Sequence, residues 1–201
     1  MAFLKPNAGA ALLRGSAPRW AAWCVVVAFF AAHVSAARAE AAAISAENQI
    51  KAVFLFNFTQ FVKWPARTFA DAQAPIVIGV LGEDPFGPYL DGVVQNEKIG
   101  GRPIVVRRYR RVEDLAECHI LFISRSESAR LEQICAQLNK SWSILTVGDS
   151  ENFSRQGGMV RFATEGGKTR LRINIAAAKA AELTLSSKLL AHAVIVVSGK
   201  N

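Results

Sequence analysis

Four short apolar runs, "PIVIGVL", "RPIVVRRY", "CHILFIS" and "WSILTVG", recur between residues 75 and 148, each parted from the next by a stretch of helical or turn character. Short apolar runs of this kind are strands buried on both faces, and helical crossovers between them pair such strands in parallel. That limits the chain to α/β architectures. "DPFGPYLDGVVQ" reads as a helix opened by Asp84 with Pro85 in its first position, "VEDLAE" as a helical turn and "SESARLEQICAQLN" as a second helix. Upstream, Ser45 caps a helix that runs to Trp64, where Pro65 stops it. Downstream the pattern changes. "GGMVRFAT", "EGGK" and "TRLRINI" make a hairpin with its turn at Gly166 and Gly167, followed by helical "AAAKAAE" and "SSKLLAHA". The expected fold is α/β, a mostly parallel sheet covered by helices on both faces, with a C-terminal antiparallel β-hairpin.

On a wheel of the first helix, Ile50, Val53, Phe54, Phe58, Phe61, Val62 and Trp64 share a broad apolar arc with Asn57 in its middle. This arc is expected to face the core. Phe56 falls on the opposite face beside Ala52, Thr59 and Lys63, which makes it a candidate partner contact.

Residues 1–39 hold four basic residues, no acidic one, the apolar run "WAAWCVVVAFFAA" and small-residue cleavage sites ending at Ala36 and Ala39. Basic, then apolar, then small is the order of a secretory signal, so residues 40–201 are expected to be the mature, periplasmic chain and a single domain. A retained anchor is the rival, because the uncharged stretch approaches the roughly 20 residues of a spanning helix. Cleavage removes four of the 24 basic residues and none of the 16 acidic ones, so the net charge falls from +8 to +4. The basic character of the whole chain therefore gives little support to a nucleic-acid partner.

Chemistry-bearing patterns are sparse. Gly79, Gly82 and Gly87 fit neither a dinucleotide fingerprint nor a P-loop, and Glu83 and Asp84 would repel a phosphate there. His119 and His192, the two mature histidines, have no Cys or carboxylate at metal spacing, so no metal site is expected. Ser124, Ser126, Ser128 and Ser150 follow strands as caps, and Asp149 with Ser150 reads as a turn. Arg107, Arg108, Arg110 and Arg111 form a solvated basic face or meet an acidic partner or lipid headgroups. No nucleophile, base and orienter assemble, so the chain is read as non-enzymatic and without a cofactor.

Cys118 and Cys135 form an even pair in a compartment where disulfides persist. Strand rise and helix rise return them to nearly one level. Packed layers nevertheless stand on the order of 10 Å apart, against about 4.4–6.8 Å between bridged Cα atoms. Two buried thiols are expected, with a disulfide as the alternative.

In this order, "KAVFLFNFTQFVKWP", "IGVLGEDPFG", "GRPIVVRR", "CHILFIS", "LTVGDSENF", "GGMVRF" and "SSKLLAHA" resemble the YfiR-like periplasmic proteins over roughly residues 46–197. The resemblance implies a non-enzymatic α/β module that binds the periplasmic domain of an inner-membrane diguanylate cyclase and holds it inactive. It also implies an outer-membrane lipoprotein as a sequestering partner, and a second copy of the chain is a further candidate. Such proteins usually show Phe-Glu-Ile-Asn-Leu where this chain has "LRINI", so Arg172 stands in place of an acid while Asn174 is kept. The expected partner surface is the hairpin and its approach, Phe153, Met159, Phe162 and Arg172, with Phe56 as a second site. A small-ligand module binding at the C-terminal strand ends is the alternative function.

Overall fold

The structure is a computed structural model and describes residues 46–115, 117–138 and 143–196. They fall in one unit, Ile44–Asn201. The expected leader, its cleavage sites and the Ser45 cap lie outside the described residues. Helix α1 covers residues 46–61. Its expected last turn is instead strand β1 (Val62–Lys63), paired antiparallel with β9 (Thr184–Leu185) in a two-stranded ribbon.

The main sheet is built from β2 (Ile76–Leu81), β3 (Lys98–Ile99), β4 (Arg102–Tyr109), β5 (Ile120–Ile123), β6 (Leu145–Gly148), β7 (Val160–Glu165), β8 (Lys168–Ile173) and β10 (Ala193–Ile195). Their spatial order is β10-β8-β7-β6-β5-β2-β4-β3. The four apolar runs supply β2, β4, β5 and β6, which pair in parallel. The sheet as a whole is mixed: β3 runs antiparallel to β4 and β7 antiparallel to β8. The β7–β8 hairpin turns at Gly166 and Gly167, whose φ values of +57° and +72° match a two-residue turn of the type that follows strand twist. Strand β10 was not expected. The stretch "SSKLLAHA" forms only the short helix α5 (Ser187–Leu190) before the chain straightens along β8.

Helix α2 is Pro88–Val94, later than the expected start. Gly87, at φ +51°, breaks the backbone before it, and Asp84 closes a local turn by accepting from Phe86 N at 2.7 Å. Helix α3 is Leu131–Leu138, reached through a 3-10 turn, Arg125–Arg130, capped by Ser124. Helix α4 (Ile175–Ala180) is capped by Asn174, whose Oδ1 accepts from Ala177 N at 3.0 Å.

Period-two alternation sorts the strand side chains into two clusters. Ile78, Val80, Ile120, Phe122 and Phe162 join Ala52, Leu55 and Phe58 of α1 in the first. Leu121 and Ile123 join Leu131, Ile134 and Leu138 of α3 in the second. Cys118 and Cys135 belong to the second cluster, and both are free and buried. Burial pushes each thiol up to about 12. We expect neither to react with a thiol reagent at neutral pH while the chain is folded, and both to react once it is unfolded under non-reducing conditions; a chain without free thiols when unfolded would mean a bridge.

Candidate functional site

Helix α1 decides what the protein exposes. Its fully buried side chains are Lys51, Ala52, Leu55, Phe58 and Thr59, while Ile50 and Val53 are 48% and 41% exposed. The buried arc is therefore rotated from the expected one. Ala52 and Thr59, assigned to the polar face, face the core, and Asn57 is half-buried beside two exposed aliphatic residues. A buried ion pair lies on the rotated face. Lys51 Nζ lies 2.6 Å from Asp149 Oδ2, just past β6, and 2.7 Å from Glu47 Oε1 one turn back along the helix. Arg125 Nε approaches Asp149 Oδ1 at 3.2 Å. The Lys51 bond holds Glu47 below the usual carboxylate range. Asp149 is thus more than a turn former.

Contacts also cross the C-terminal ends of the strands, the place of the alternative small-ligand reading. Lys51 covers the end of β6, and after β2 the Ser126 hydroxyl accepts from Glu83 N at 3.0 Å. The basic stretch on and after β4 is largely paired: Arg107 with Glu117, Arg108 with Asp84 and Asp91, and Arg111 with Asp114. Among the described residues, no three His, Cys, Asp or Glu side chains are placed to hold a metal ion. No helix there is long and apolar enough to cross a membrane.

Three of the expected surface residues are core. Phe153 is wholly buried, its ring pressed against Gly148 and Gly158, where an added Cβ would come within 2.3 and 2.2 Å of it. Met159 and Phe162 are 1% and 2% exposed and share one cluster. Met159 precedes β7 rather than lying on it, so strand alternation does not part it from Phe162. The Phe162 ring lies 5.9 Å from Phe54 and 6.2 Å from Phe58 of α1. Phe56 is half-buried against the same cluster. Arg172 alone of the hairpin set reaches solvent, with 41% of its side chain exposed.

The exposed apolar residues gather elsewhere. A groove of about 1010 Å³ runs between Phe54 and Phe61 of α1, Leu171 of β8, and Leu189 and Ala193 at the C-terminal edge. Its rim carries Lys188 and His192. At Phe54 and Asn57 it continues into a hollow of about 350 Å³ bounded by Ile50, Val53 and Tyr89. An apolar floor with a charged rim is the make-up of a protein contact surface. No single segment of the sequence signals this groove, because its walls come from α1, β8 and β10.

Fold and surface together describe an α/β domain with an apolar groove beside its hairpin. The chain belongs to the YfiR/HmsC-like family, whose model matches residues 48–194. Membership points to a regulatory protein. No curated protein matches the chain. Among solved structures it is similar to a conserved domain protein from Vibrio cholerae O1 biovar eltor, at 15% identity and a TM-score of 0.45. That match covers 59% of this chain and 54% of the other, so the chain spans about half the length of that protein.

Proposed function

We propose that the chain is an exported, non-enzymatic regulator that binds the periplasmic domain of an inner-membrane diguanylate cyclase through the groove and holds it inactive. Family membership over residues 48–194 carries this reading. The groove supports it, since contiguous exposed apolar surface on a soluble domain marks a partner site. Repression from outside the membrane requires tighter binding to the inactive state of the cyclase, because equal affinity for both states shifts nothing. Sequestration by an outer-membrane lipoprotein would release the cyclase by removing the free repressor.

Deleting the gene is expected to raise cellular cyclic di-GMP and overproducing the exported protein to lower it. Val53→Glu places a charge on the exposed flank of the groove. It should weaken the partner complex by about tenfold or more while leaving the melting temperature unchanged. Cyclic di-GMP that responds to neither deletion nor overproduction would end the cyclase reading.

A further inference from the structure

The β7–β8 hairpin has a second face, opposite the one packed on α1. Val160, Phe162, Leu171 and Ile173 point into the first cluster. The alternate positions, Arg161, Ala163, Glu165, Lys168, Arg170 and Arg172, therefore share the other side. Four cations and one carboxylate occupy those six positions. The register sets Arg161 directly across from Arg172 and Arg170 across from Ala163. Like charges directly opposite one another in an antiparallel pair are destabilising.

The single carboxylate does not resolve this. Glu165 accepts from Arg172 Nη2 at 2.6 Å and from Nε at 3.2 Å. To reach it, Arg172 must extend along the face, because Glu165 stands across from Lys168. Among the described residues Arg161 makes no ion pair, and its Nε is buried with no hydrogen-bond partner. Its neighbour on β6 is Gly148, which brings no side chain to it. Lys168 and Arg170 are exposed and make no ion pair among the described residues. The hairpin thus holds a cluster of guanidinium groups whose charge is not balanced among the described residues.

We propose that this face binds an acidic, extended segment of a protein partner, with carboxylates forked on Arg161 and Arg172 and a further one on Arg170. The proposal rests on the reading of the chain as a partner-binding regulator and adds the chemistry of the partner. Guanidinium and carboxylate match as planar two-point partners, which favours arginine over lysine at such positions. Alternate residues of an extended segment stand about 7 Å apart, the spacing of Arg170 and Arg172 along β8. Val194, directly beside Arg172 on β10 and half exposed, offers that segment an apolar contact at the edge of the array.

The test uses the protein purified from the envelope and a fluorescein-labelled peptide of alternating glutamate and threonine, followed by anisotropy. Arg172→Glu and Arg161→Gln should each weaken binding by about tenfold or more, whereas Arg110→Glu, the same charge change at an exposed site off the hairpin, should change it less than about twofold. Arg172→Glu should also keep or raise the melting temperature, because a carboxylate would then face Arg161 across the strands. Equal weakening by Arg172→Glu and Arg110→Glu would reduce the effect to net charge and overturn the proposal. So would displacement of the peptide by inorganic phosphate at equal concentration, or capture by phosphatidylglycerol vesicles that depends on Arg161 while the peptide fails to bind. Cyclic di-GMP separates the two readings. If deletion changes it but peptide binding ignores the arginines, the acidic-segment proposal falls and the regulator stands. If the arginines govern binding but deletion leaves cyclic di-GMP unchanged, the surface stands and the cyclase falls.

Discussion

Lys51→Met is expected to lower the unfolding free energy by about 3–5 kcal/mol, the range for breaking a buried ion pair by removing one partner. Lys51 is 3% exposed, and its ammonium lies between the carboxylates of Glu47 and Asp149 at 2.7 and 2.6 Å. Methionine keeps most of the stem volume, so the loss reports charge rather than packing. Without the ammonium, two carboxylates converge on one site, and Arg125 reaches only Asp149, from the rim. The pH dependence follows. The Lys51 bond holds Glu47 below the usual carboxylate range, so the stability it supplies is present above the unfolded pKa and is lost as pH falls through the lowered one, and the deficit of the variant shrinks over the same interval. Adding Asp149→Leu should recover at least about 2 kcal/mol, because an apolar pair of similar volume replaces a broken ionic one. Urea unfolding measures all three. A loss below about 1 kcal/mol in the single variant would place the network with solvent-screened surface pairs and remove it as the anchor of α1.

A second large effect is expected on acidification. His119 is 3% exposed, its ring stacked on Phe69 at 4.5 Å and met edge-on by Trp64 at 5.9 Å. Its Nδ1 accepts from Val77 N at 3.1 Å, and its Nε2 has no partner among the described residues. Burial lowers its pKa from 6.5 to about 4; Glu117 nearby favours the charged form, and Arg102, whose guanidinium sits 3.9 Å from the Phe69 ring centre, disfavours it. Between those values the unfolded chain takes up a proton that the folded chain refuses. The contribution is fully present above pH 6.5, is lost as pH falls toward 4, and changes no further below that. At about 1.4 kcal/mol per unit the loss is about 3 kcal/mol. His119→Asn keeps an acceptor for Val77 N–H but does not titrate. Its ring-loss penalty should be independent of pH, and the difference between the two proteins should shrink by about 3 kcal/mol from pH 7 to pH 4. Parallel stability curves over that range would show that His119 does not titrate between the folded and unfolded states.

Both effects depend on groups whose sequence context is bland. Lys51 reads as an exposed helix lysine, and Asp149 as a turn residue. They meet across 98 positions, and no local pattern records that meeting. The pair lies on the buried face of α1. Apolar residues surround most of this helix, so the wheel defines an amphipathic helix without saying which part of a broad arc meets the sheet. Ala52, Leu55 and Thr59 are buried on the same side as Lys51, and Ile50 and Val53 stay on the surface. The groove and its adjoining hollow are consequences of that rotation.

The inner strands and the hairpin turn are legible in the sequence. β2, β4, β5 and β6 coincide with the four apolar runs, and the hairpin turns at the two glycines of "EGGK". These features depend on side-chain periodicity and on backbone conformations open to glycine, which are properties of neighbouring residues. Only the tertiary structure decided which apolar residues are core. Phe153, Met159 and Phe162 lie on a segment that reads as well for a surface as for an interior. They are buried because Gly148 and Gly158 make room for one ring and α1 covers another. The pairing of Arg161 with Arg172 was equally hidden, since each reads alone as an exposed strand cation. Strand register brings them face to face, and register is set by the turn and by the buried face of the sheet, so charge opposes charge where packing has placed it.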